Sequence, residues 1–428
     1  MHEVIRRFEQ ERWTAGVVGL GYVGLPLAIT AANAGLDVIG FDVSAPRASD
    51  LSEGRSHVED VDDETLRAAL AQGARFTAES EMLADADAIF ICVPSPLGRN
   101  RQPDLSYIEA AADTVANVVR SGQLIALEST TYPGTTDDIL IPAVTGGGLR
   151  LDDDVFVAFS PERVSPGDGM KTGEIPKVVG GVSPLSTKVA AAAYGRLVAD
   201  VFPVSSAKAA EMAKLLENTY RAVNIGLINE MAQLSHELDI NIWEVIDAAS
   251  TKPFGFQAFY PGPGVGGHCI PLDPQFLAWR AREANFATRF IDTAEQVNSK
   301  MPSYTADRVA DALNRAGKPV FGSRILGVGV AYKPNVGDDR ESASIQVLDL
   351  LAARGAHVLV HDPLVDSDRL PYETVTSLAG LDDIDLVVIL TDHDVVDYQA
   401  LVQLGPPVFD TRNALARRGV DAPNVEVL

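Results

Sequence analysis

A glycine-rich loop leads into one of the chain's two cysteines. The stretch "GPGVGGHCIPLDP", residues 262–274, places four glycines ahead of Cys269 and a carboxylate, Asp273, four residues after it. A thiol with a carboxylate nearby can form a covalent adduct and then activate water to hydrolyse it. A lone cysteine is most often a packed side chain, but a loop with so few side chains can wrap a bulky ligand and offer it backbone N–H groups. We therefore predict that Cys269 is a nucleophile, and that Asp273 shares a face with it if a helix starts there.

Polar side chains at helical spacing and at strand ends supply candidate partners for this thiol. Lys214 and Asn218 lie four residues apart in a predicted helix, so they share a face. A cation is what a thiol needs to lower its pKa from about 8.5. Glu162 in "SPER" and Thr130 in "EST" each follow a predicted strand, where sites form in parallel α/β folds. The spacing alone is also consistent with a solvated Lys214, and with Glu162 and Thr130 as ordinary polar groups at strand ends.

Three glycines near the N-terminus form the pattern G-x-G-x-x-G directly after a predicted strand. Gly19 would allow the tight turn, Gly21 the approach of a pyrophosphate, and Gly24 the packing of the following helix on the strand. Asp42 ends the next strand, 18 residues after Gly24, where a carboxylate accepts from an adenosine ribose. This acid would repel a 2′-phosphate, which favours NAD over NADP, although Arg47 could bind such a phosphate.

Composition excludes several classes of protein. The chain has 428 residues with a formal net charge of −24, which argues against binding to nucleic acid but not against a locally positive pocket for a small anion. Two cysteines make no disulfide framework and suit a reducing cytosol, so we expect a cytoplasmic protein. The uncharged stretch from Thr14 to Leu36 is long enough to cross a membrane, but its five glycines and Pro26 favour a strand, a turn and a helix instead.

The order of the predicted elements indicates an α/β protein with two similar lobes. Alternating strands and helices over residues 14–204 predict a doubly wound Rossmann-like sheet, in which Cys92 is a core residue. An apolar stripe without proline predicts one long helix from Ser205 to Ile240, opening a helical segment that ends near residue 300. The β/α alternation returns from Ser323. The predicted domains are therefore 1–204, 205–300 and 301–428, and the long stripe suits a homodimer contact.

The second predicted lobe looks like a reduced copy of the first. "LADADAIFIC" (83–92) aligns without gaps to "LDDIDLVVIL" (381–390). Gly327 and Gly329 resemble the first glycine turn, but Tyr332 stands where the third glycine would be, so no dinucleotide is assigned there. Two such lobes predict a ligand cleft.

Six segments together resemble one enzyme family. The segments "GLGYVGLPLA", "STTYPGTT", "SPERVSPG", "KLLENTYRAVNIGLINE", "GPGVGGHCIPLDP" and "AYKPNVGDDRESAS" occur in this order and span nearly the whole chain. They resemble the nucleotide-sugar 6-dehydrogenases, the UDP-glucose and UDP-N-acetylhexosamine dehydrogenases. The resemblance implies oxidation of the C6 alcohol of a nucleotide-linked hexose to a carboxylate with two NAD. Cys269 would form a thiohemiacetal and then a thioester.

The resemblance also implies roles for individual residues, and no metal site. Lys214 and Asn218 would stabilise the oxyanion, and Asp273 would hold a water or act as base beside Thr130 and Glu162. The implied cofactor-binding residues are Gly19, Gly21, Tyr22, Val23, Gly24, Asp42, Arg47, Val93, Pro94, Thr130 and Arg340. The implied substrate-binding residues are Glu162, Arg163, Val164, Lys214, Asn218, Tyr260, Gly266 and Lys333, with Lys333 meeting the diphosphate.

The choice of sugar stays open at this point. "SPERVSPG" and "GGHCIPLDP" look more like the N-acetylhexosamine branch, because His268 stands where the UDP-glucose branch usually has serine, and Ser165 or Pro166 where it often has a second acid. A UDP-glucose or dTDP-glucose dehydrogenase of an antibiotic pathway remains an alternative. A single-step dehydrogenase of the 3-hydroxyacid or 6-phosphogluconate kind would need no thiol, and a non-catalytic NAD-binding scaffold would not need Cys269, Asp273, Lys214 and Asn218 together.

Overall fold

The chain folds into two compact units. The structure, a computed structural model, describes residues 3–58, 60–98, 102–164, 172–267, 269–381 and 383–428. One unit is Met1–Glu217 with Gln275–Phe286, and the other is Asn218–Pro274 with Ala287–Leu428. The three predicted segments divide the chain differently, and their boundaries stay a prediction.

The first unit contains the first lobe, an α/β sheet of eight strands. Its strands are β1 Thr14–Val18, β2 Asp37–Phe41, β3 Arg75–Thr77, β4 Ala88–Ile91, β5 Gln123–Leu127, β6 Val155–Phe159, β7 Lys177–Gly181 and β8 Val201–Val204. Its helices are α1 Glu3–Gln10, α2 Gly24–Asn33, α3 Ala45–Ser52, α4 Asp63–Ala71, α5 Ser106–Ala116, α6 Ile141–Thr145 and α7 Pro184–Tyr194. Short 3-10 turns occur at Ser80–Asp85 and Thr172–Glu174, and a π-helical turn at Thr136–Leu140.

The strand order of the first lobe is β3-β2-β1-β4-β5-β6-β7-β8. All neighbouring strands run parallel except β6 and β7, which are antiparallel, so the sheet of this lobe is mixed. A parallel return needs a crossover, usually a helix, and in the described part of residues 160–176 the only helical turn is Thr172–Glu174. Every residue of β4, β5 and β6 is buried, which explains their continuously apolar sequences.

The uncharged stretch from Thr14 to Leu36 folds as β1, a turn and α2. In the described part of the chain no helix combines the length and the apolar character that a membrane crossing requires.

Four helices occupy the predicted helical segment. They are α8 Ala207–Glu237, α9 Ile242–Ser250, α10 Asp273–Glu283 and α11 Arg289–Arg315. The prediction of one long helix is confirmed to within three residues at each end by α8. The predicted end of the segment near residue 300 is wrong, because α11 runs through Pro302 and continues to Arg315.

The second unit contains the second lobe, a parallel sheet of six strands. The strands are β9 Arg324–Val328, β10 His357–His361, β11 Glu373–Thr374, β12 Leu386–Ile389, β13 Val408–Asp410 and β14 Val425–Val427, in the order β11-β10-β9-β12-β13-β14. Its helices are α12 Ala343–Ala353, α13 Tyr398–Gln403 and α14 Ala414–Arg417, with a 3-10 turn at Ser367–Arg369.

Strand pairing confirms that the second lobe repeats the first. Ala15 pairs with Ala88 in the first lobe and Ile325 with Leu386 in the second, which is the register of the ungapped sequence alignment. The same register corrects the predicted glycine correspondence. Gly327 lies inside β9, whereas Gly329 follows the strand as Gly19 follows β1. Gly19 N–H donates to the carbonyl of Phe41, and Gly329 N–H donates to that of His361, so Gly329 is the counterpart of Gly19.

Candidate active site

The three glycines after β1 each have a separate physical reason. Gly19 has φ +88°, a conformation that favours glycine. A Cβ on Gly24 would lie 1.9 Å from the carbonyl oxygen of Gly19, so only glycine lets α2 start this close to the strand. A Cβ on Gly21 would meet nothing within 4 Å, so its surroundings are open for a pyrophosphate at the start of α2. These residues fit a dinucleotide in the predicted way.

Asp42 directly follows β2, and its carboxylate already accepts several hydrogen bonds. Its carboxylate accepts from the N–H of Leu20 at 3.0 Å and of Ser44 at 2.9 Å. Arg47 lies 3.0 Å from the same carboxylate, which is buried, while the guanidinium is 43% exposed. Arg47 therefore offsets the charge of Asp42 within this structure. The selection of NAD against NADP by Asp42 stays a prediction.

The other predicted cofactor residues of the first lobe lie at the same edge of the sheet. Tyr22 is exposed in the glycine turn beside half-buried Val23. Val93 and Pro94 follow β4, and a Cβ on Gly19 would lie 3.2 Å from the Val93 side chain. Val93 is held in place because its carbonyl accepts from the hydroxyl of Ser129 at 2.7 Å.

Thr130 and Glu162 follow the paired parallel strands β5 and β6, as predicted. Glu162 is the better fixed of the two. Its Oε1 accepts from the N–H groups of Arg163 at 2.7 Å and Val164 at 2.8 Å. Lys214 on α8 donates to the carbonyl of Glu162 at 2.8 Å. The structure therefore brings Glu162 and Lys214 together.

A buried cation completes the surroundings of Glu162. Lys177, the first residue of β7, donates to Oε2 of Glu162 at 2.9 Å and to Glu128 at 2.7 Å. Burial alone would raise the pKa of Glu162, but the charge of Lys177 and the backbone N–H groups outweigh burial and lower it. Burial raises the pKa of Cys92, which lies in the core as predicted.

The cysteine loop ends in a turn that leads directly into α10. Cys269 is exposed and is not in a disulfide. Its carbonyl accepts from the N–H of Asp273 at 2.8 Å, and Asp273 is the first residue of α10. Asp273 is buried, and its carboxylate accepts from the side-chain amide of Asn218. The structure therefore joins Asn218 to Asp273, one turn after Cys269.

The glycines of this loop have a reason that the sequence did not reveal. A Cβ on Gly267 would lie 2.8 Å from the ring of Tyr332, and one on Gly266 would lie 2.8 Å from the carbonyl oxygen of Glu341. A Cβ on Gly264 would lie 2.7 Å from Ala343. These glycines let the loop pack closely on the second lobe, and that the same loop also wraps a ligand stays a prediction.

Lys333 lines a cavity of the second unit together with Arg412. The cavity is otherwise lined by Pro263, Gly264, Tyr332, Pro334, Ala343, Ser344, Leu390 and Thr391. Two cations on one cavity, together with the hydroxyl groups of Ser344 and Thr391, suit an anionic ligand such as a phosphate. Arg412 was missed in the sequence, although it follows β13 in the way that Glu162 follows β6.

Tyr260 and Arg340, predicted to bind the substrate and the cofactor, each contact other side chains of the second unit. Tyr260 stacks on Trp243, with the guanidinium of Arg417 4.0 Å from its ring centre. Arg340 forms a two-pronged pair with Asp338, at 2.9 and 2.7 Å.

Arg163, besides its N–H bond to Glu162, pairs with Glu217 at 2.8 Å. His268, Ser165 and Pro166, on which the choice of sugar was argued, lie outside the described residues.

Comparison with known proteins matches three successive parts of the chain to one family. Models of the UDP-glucose/GDP-mannose dehydrogenase family match residues 14–198 (NAD binding domain), 208–300 (central domain) and 326–417 (UDP binding domain). The chain belongs to this family. As a UDP-glucose/GDP-mannose dehydrogenase family member it is an NAD-dependent nucleotide-sugar dehydrogenase, which confirms the predicted family, enzyme class and cofactor.

Individual members of this dehydrogenase family are similar over nearly their whole length. The NDP-N-acetyl-D-galactosaminuronic acid dehydrogenase of Ralstonia nicotianae is 38% identical over 398 residues, 89% of this chain and 90% of that protein. The structure of a UDP-D-ManNAc dehydrogenase from Pyrococcus horikoshii matches with a TM-score of 0.88 at 33% identity, covering 97% of this chain and 98% of that one. A UDP-glucose dehydrogenase from Pyrobaculum islandicum matches with a TM-score of 0.85 at 28% identity, covering 97% of both chains.

Proposed function

We propose that the chain oxidises the C6 alcohol of a UDP-N-acetylhexosamine to a carboxylate in two steps, with the sugar bound covalently to Cys269 between them. The observation that carries this proposal is the arrangement around the thiol. Cys269 is exposed at the start of a turn whose next residues lead to the buried pair Asp273–Asn218. A single-step dehydrogenase has no use for such a nucleophile.

The first oxidation produces an aldehyde at C6. Gly19, Gly21 and Gly24 would hold NAD at the glycine turn, and the bound cofactor would supply the hydride acceptor for each of the two oxidations of C6. Glu162 accepts the proton of the C6 hydroxyl, either directly or through a water that Thr130 holds. Its lowered pKa keeps it ionised near neutral pH, which this role requires.

The covalent steps follow from the chemistry of a thiolate. The sulfur of Cys269 adds to the aldehyde carbon, a C–S bond forms, and the C=O electrons move to oxygen to give a thiohemiacetal. Lys214 and Asn218 stabilise that oxygen. Loss of the second hydride leaves a thioester. Water then adds to its carbonyl carbon, Asp273 accepts one proton of the water, and the C–S bond breaks to regenerate the thiolate. The carboxylic acid so formed loses its remaining proton to solvent and leaves as the carboxylate.

The nucleotide is assigned to the second lobe. The part of the chain that matches the UDP binding domain contains Lys333 and Arg412, which line one cavity. A guanidinium and an ammonium on one cavity would offset the charge of a diphosphate. We propose that these two residues bind the diphosphate of the substrate.

The motifs and the relatives support an N-acetylated sugar. The loop "GGHCIPLDP" and the segment "SPERVSPG" resemble the N-acetylhexosamine branch. The relative from R. nicotianae and the structure from P. horikoshii are both named for N-acetylated hexoses. A 2-acetamido sugar is therefore the substrate that we propose.

A panel of nucleotide sugars tests this assignment. Initial rates with NAD are measured for UDP-N-acetylglucosamine, UDP-N-acetylmannosamine, UDP-N-acetylgalactosamine, UDP-glucose and dTDP-glucose. We expect kcat/KM for one UDP-N-acetylhexosamine to exceed that for UDP-glucose and dTDP-glucose by about tenfold or more, which is the discrimination that one extra group in contact with a pocket provides. A higher kcat/KM for either glucose derivative would contradict the assignment.

We also propose that the chain forms a homodimer through α8. One face of this helix leaves large apolar side chains 40–57% exposed, namely Met212, Leu216, Tyr220, Leu227 and Leu234. Leu215, on the other side of the helix, is fully buried. A contiguous exposed apolar stripe of this length is typical of an interaction surface. Light scattering at micromolar concentration should give twice the monomer mass of 45.6 kDa, and a monomeric mass would contradict this proposal.

A further inference from the structure

A chain of three buried polar side chains lies beneath Glu162. Lys177 donates to Oε2 of Glu162 at 2.9 Å and to Oε2 of Glu128 at 2.7 Å. Oε1 of Glu128 accepts from the hydroxyl of Tyr194 at 2.7 Å. The side chains of Lys177 and Glu128 are 3% and 0% exposed, so they meet no solvent.

The charges of this cluster act on one another strongly because they are buried. Burial alone would lower the pKa of Lys177, but the two carboxylates outweigh burial and raise it well above its ordinary value. Burial and the neighbouring Glu162 charge raise the pKa of Glu128, despite the opposing effect of Lys177 and Tyr194. Lys177 therefore stays charged, and two carboxylates share it.

The network also fixes the direction in which Glu162 points. Oε2 is bound by Lys177, Oε1 is bound by two backbone N–H groups, and the carbonyl of the same residue accepts from Lys214. We propose that Lys177 is a positioning residue, which holds the carboxylate of Glu162 ionised and oriented as the base of the dehydrogenation. This proposal rests on the proposed function, in which Glu162 accepts the proton of the C6 hydroxyl.

A purely structural role for Lys177 predicts different behaviour. A buried ion pair that serves only stability would change the unfolding of the protein when it is removed. A purely structural role would leave unchanged the pH below which turnover is lost. The pH dependence of kcat therefore separates the two roles.

Two variants should move the acid limb of the kcat–pH profile in opposite directions. The double variant Lys177→Met/Glu128→Gln removes the cation without leaving Glu128 as an uncompensated charge. We expect the midpoint of its acid limb to move to higher pH by about one unit or more, because an adjacent opposite charge changes a carboxyl pKa by that amount. The single variant Glu128→Gln removes the competing carboxylate, so the charge of Lys177 acts on Glu162 alone. The midpoint of the acid limb should then move to lower pH.

The control variant Glu162→Gln distinguishes failure of this proposal from failure of the proposed function. If Glu162→Gln removes the acid limb while the folded double variant keeps the wild-type limb, the role of Lys177 is overturned and that of Glu162 stands. If Glu162→Gln turns over like the wild type, both are overturned. Where the double variant does not fold, Glu128→Gln decides alone: a limb that stays in place or rises contradicts the proposal.

Discussion

The two lobes share one strand register and differ in the turn after their first strand. In the first lobe α2 begins at Gly24, five residues after Gly19. In the second lobe α12 begins at Ala343, fourteen residues after the counterpart Gly329. A pyrophosphate needs a helix N-terminus directly behind the turn, so the second lobe has lost the feature that binds a dinucleotide while keeping the sheet.

The carboxylate after the second strand shows the same divergence. Asp42 and Asp362 occupy equivalent positions, and both accept backbone N–H bonds from the turn. The further partner of Asp42 is a partly exposed arginine, Arg47. The further partner of Asp362 is His393, which is fully buried with it at 3.1 Å.

The ring of His393 links two loops of the second lobe. Its Nδ1 accepts from the N–H of Asn335 at 2.9 Å, so its Nε2 donates to Asp362. The carboxylate that we predict to meet the cofactor in the first lobe therefore corresponds to one that is linked through His393 to a loop in the second.

Replacing Cys269, the proposed nucleophile, should separate binding from chemistry more sharply than any change in either lobe. We expect Cys269→Ser to bind NAD and the UDP-sugar nearly as the wild type does, since serine has a similar shape. Its hydroxyl is a much poorer nucleophile near neutral pH, so kcat should fall on the order of a thousandfold, about 4 kcal/mol of barrier. Steady-state kinetics and calorimetric binding measure both quantities. Wild-type turnover by Cys269→Ala would show that the thiol only packs.

Alanine in place of three turn glycines should distinguish the two lobes. Gly24→Ala places a Cβ 1.9 Å from the carbonyl oxygen of Gly19, which should cost about 3 kcal/mol of unfolding free energy. Gly329→Ala meets the carbonyl oxygen of Thr391 at 2.0 Å and should also destabilise, without changing KM for NAD in the folded protein. Gly21→Ala should keep the wild-type Tm but raise KM for NAD about tenfold, because its Cβ fills the open space for the cofactor. An unchanged KM in Gly21→Ala would argue against the cofactor site.

Acid should weaken the second lobe through Asp362. Burial opposes ionisation of this carboxyl, but His393 and the backbone N–H groups outweigh burial and lower its pKa from 3.8 to about 2. A lowered pKa contributes stability that is complete above about pH 4 and is lost as the pH falls towards 2. The loss should be about 2 kcal/mol, at about 1.36 kcal/mol per pKa unit.

Denaturant unfolding between pH 2 and 7 measures this contribution. Asp362→Asn should lose about 2 kcal/mol at pH 7 and show a shallower decline in acid than the wild type. Asp42→Asn is the matched control in the first lobe. Equal acid slopes for the wild type and Asp362→Asn would contradict the assignment.

The smallest expected effect concerns the choice of cofactor in the first lobe. The wild type should prefer NAD, and Asp42→Ser should raise the kcat/KM ratio of NADP to NAD about tenfold, because it removes the carboxylate and releases Arg47 for a 2′-phosphate. The two cofactors are compared at one saturating sugar concentration. Equal kcat/KM with both cofactors in the wild type would show that Asp42 does not select NAD over NADP.

Local patterns in the sequence were sufficient for much of the fold and the site. The turn around Gly19, the helix α8 and the alignment of the two lobes all follow from glycine position or apolar spacing, which depend on neighbouring residues. The antiparallel pairing of β7 did not follow, because pairing direction depends on the connection between strands rather than on their composition.

The sequence did not reveal contacts between residues that lie far apart along the chain. Lys177 opens an ordinary strand in the sequence, and only the fold places it between Glu128 and Glu162. The partner of Gly267, the ring of Tyr332, is likewise far along the chain.

The number of NADH molecules formed per sugar consumed tests the central claim most directly. The wild-type chain is supplied with a limiting, measured amount of UDP-N-acetylhexosamine and excess NAD, and NADH absorbance is read at completion with the product analysed by mass. The covalent mechanism at Cys269 predicts two NADH per sugar and a carboxylate product, with no aldehyde released. A ratio of one, with free aldehyde in solution, would contradict it.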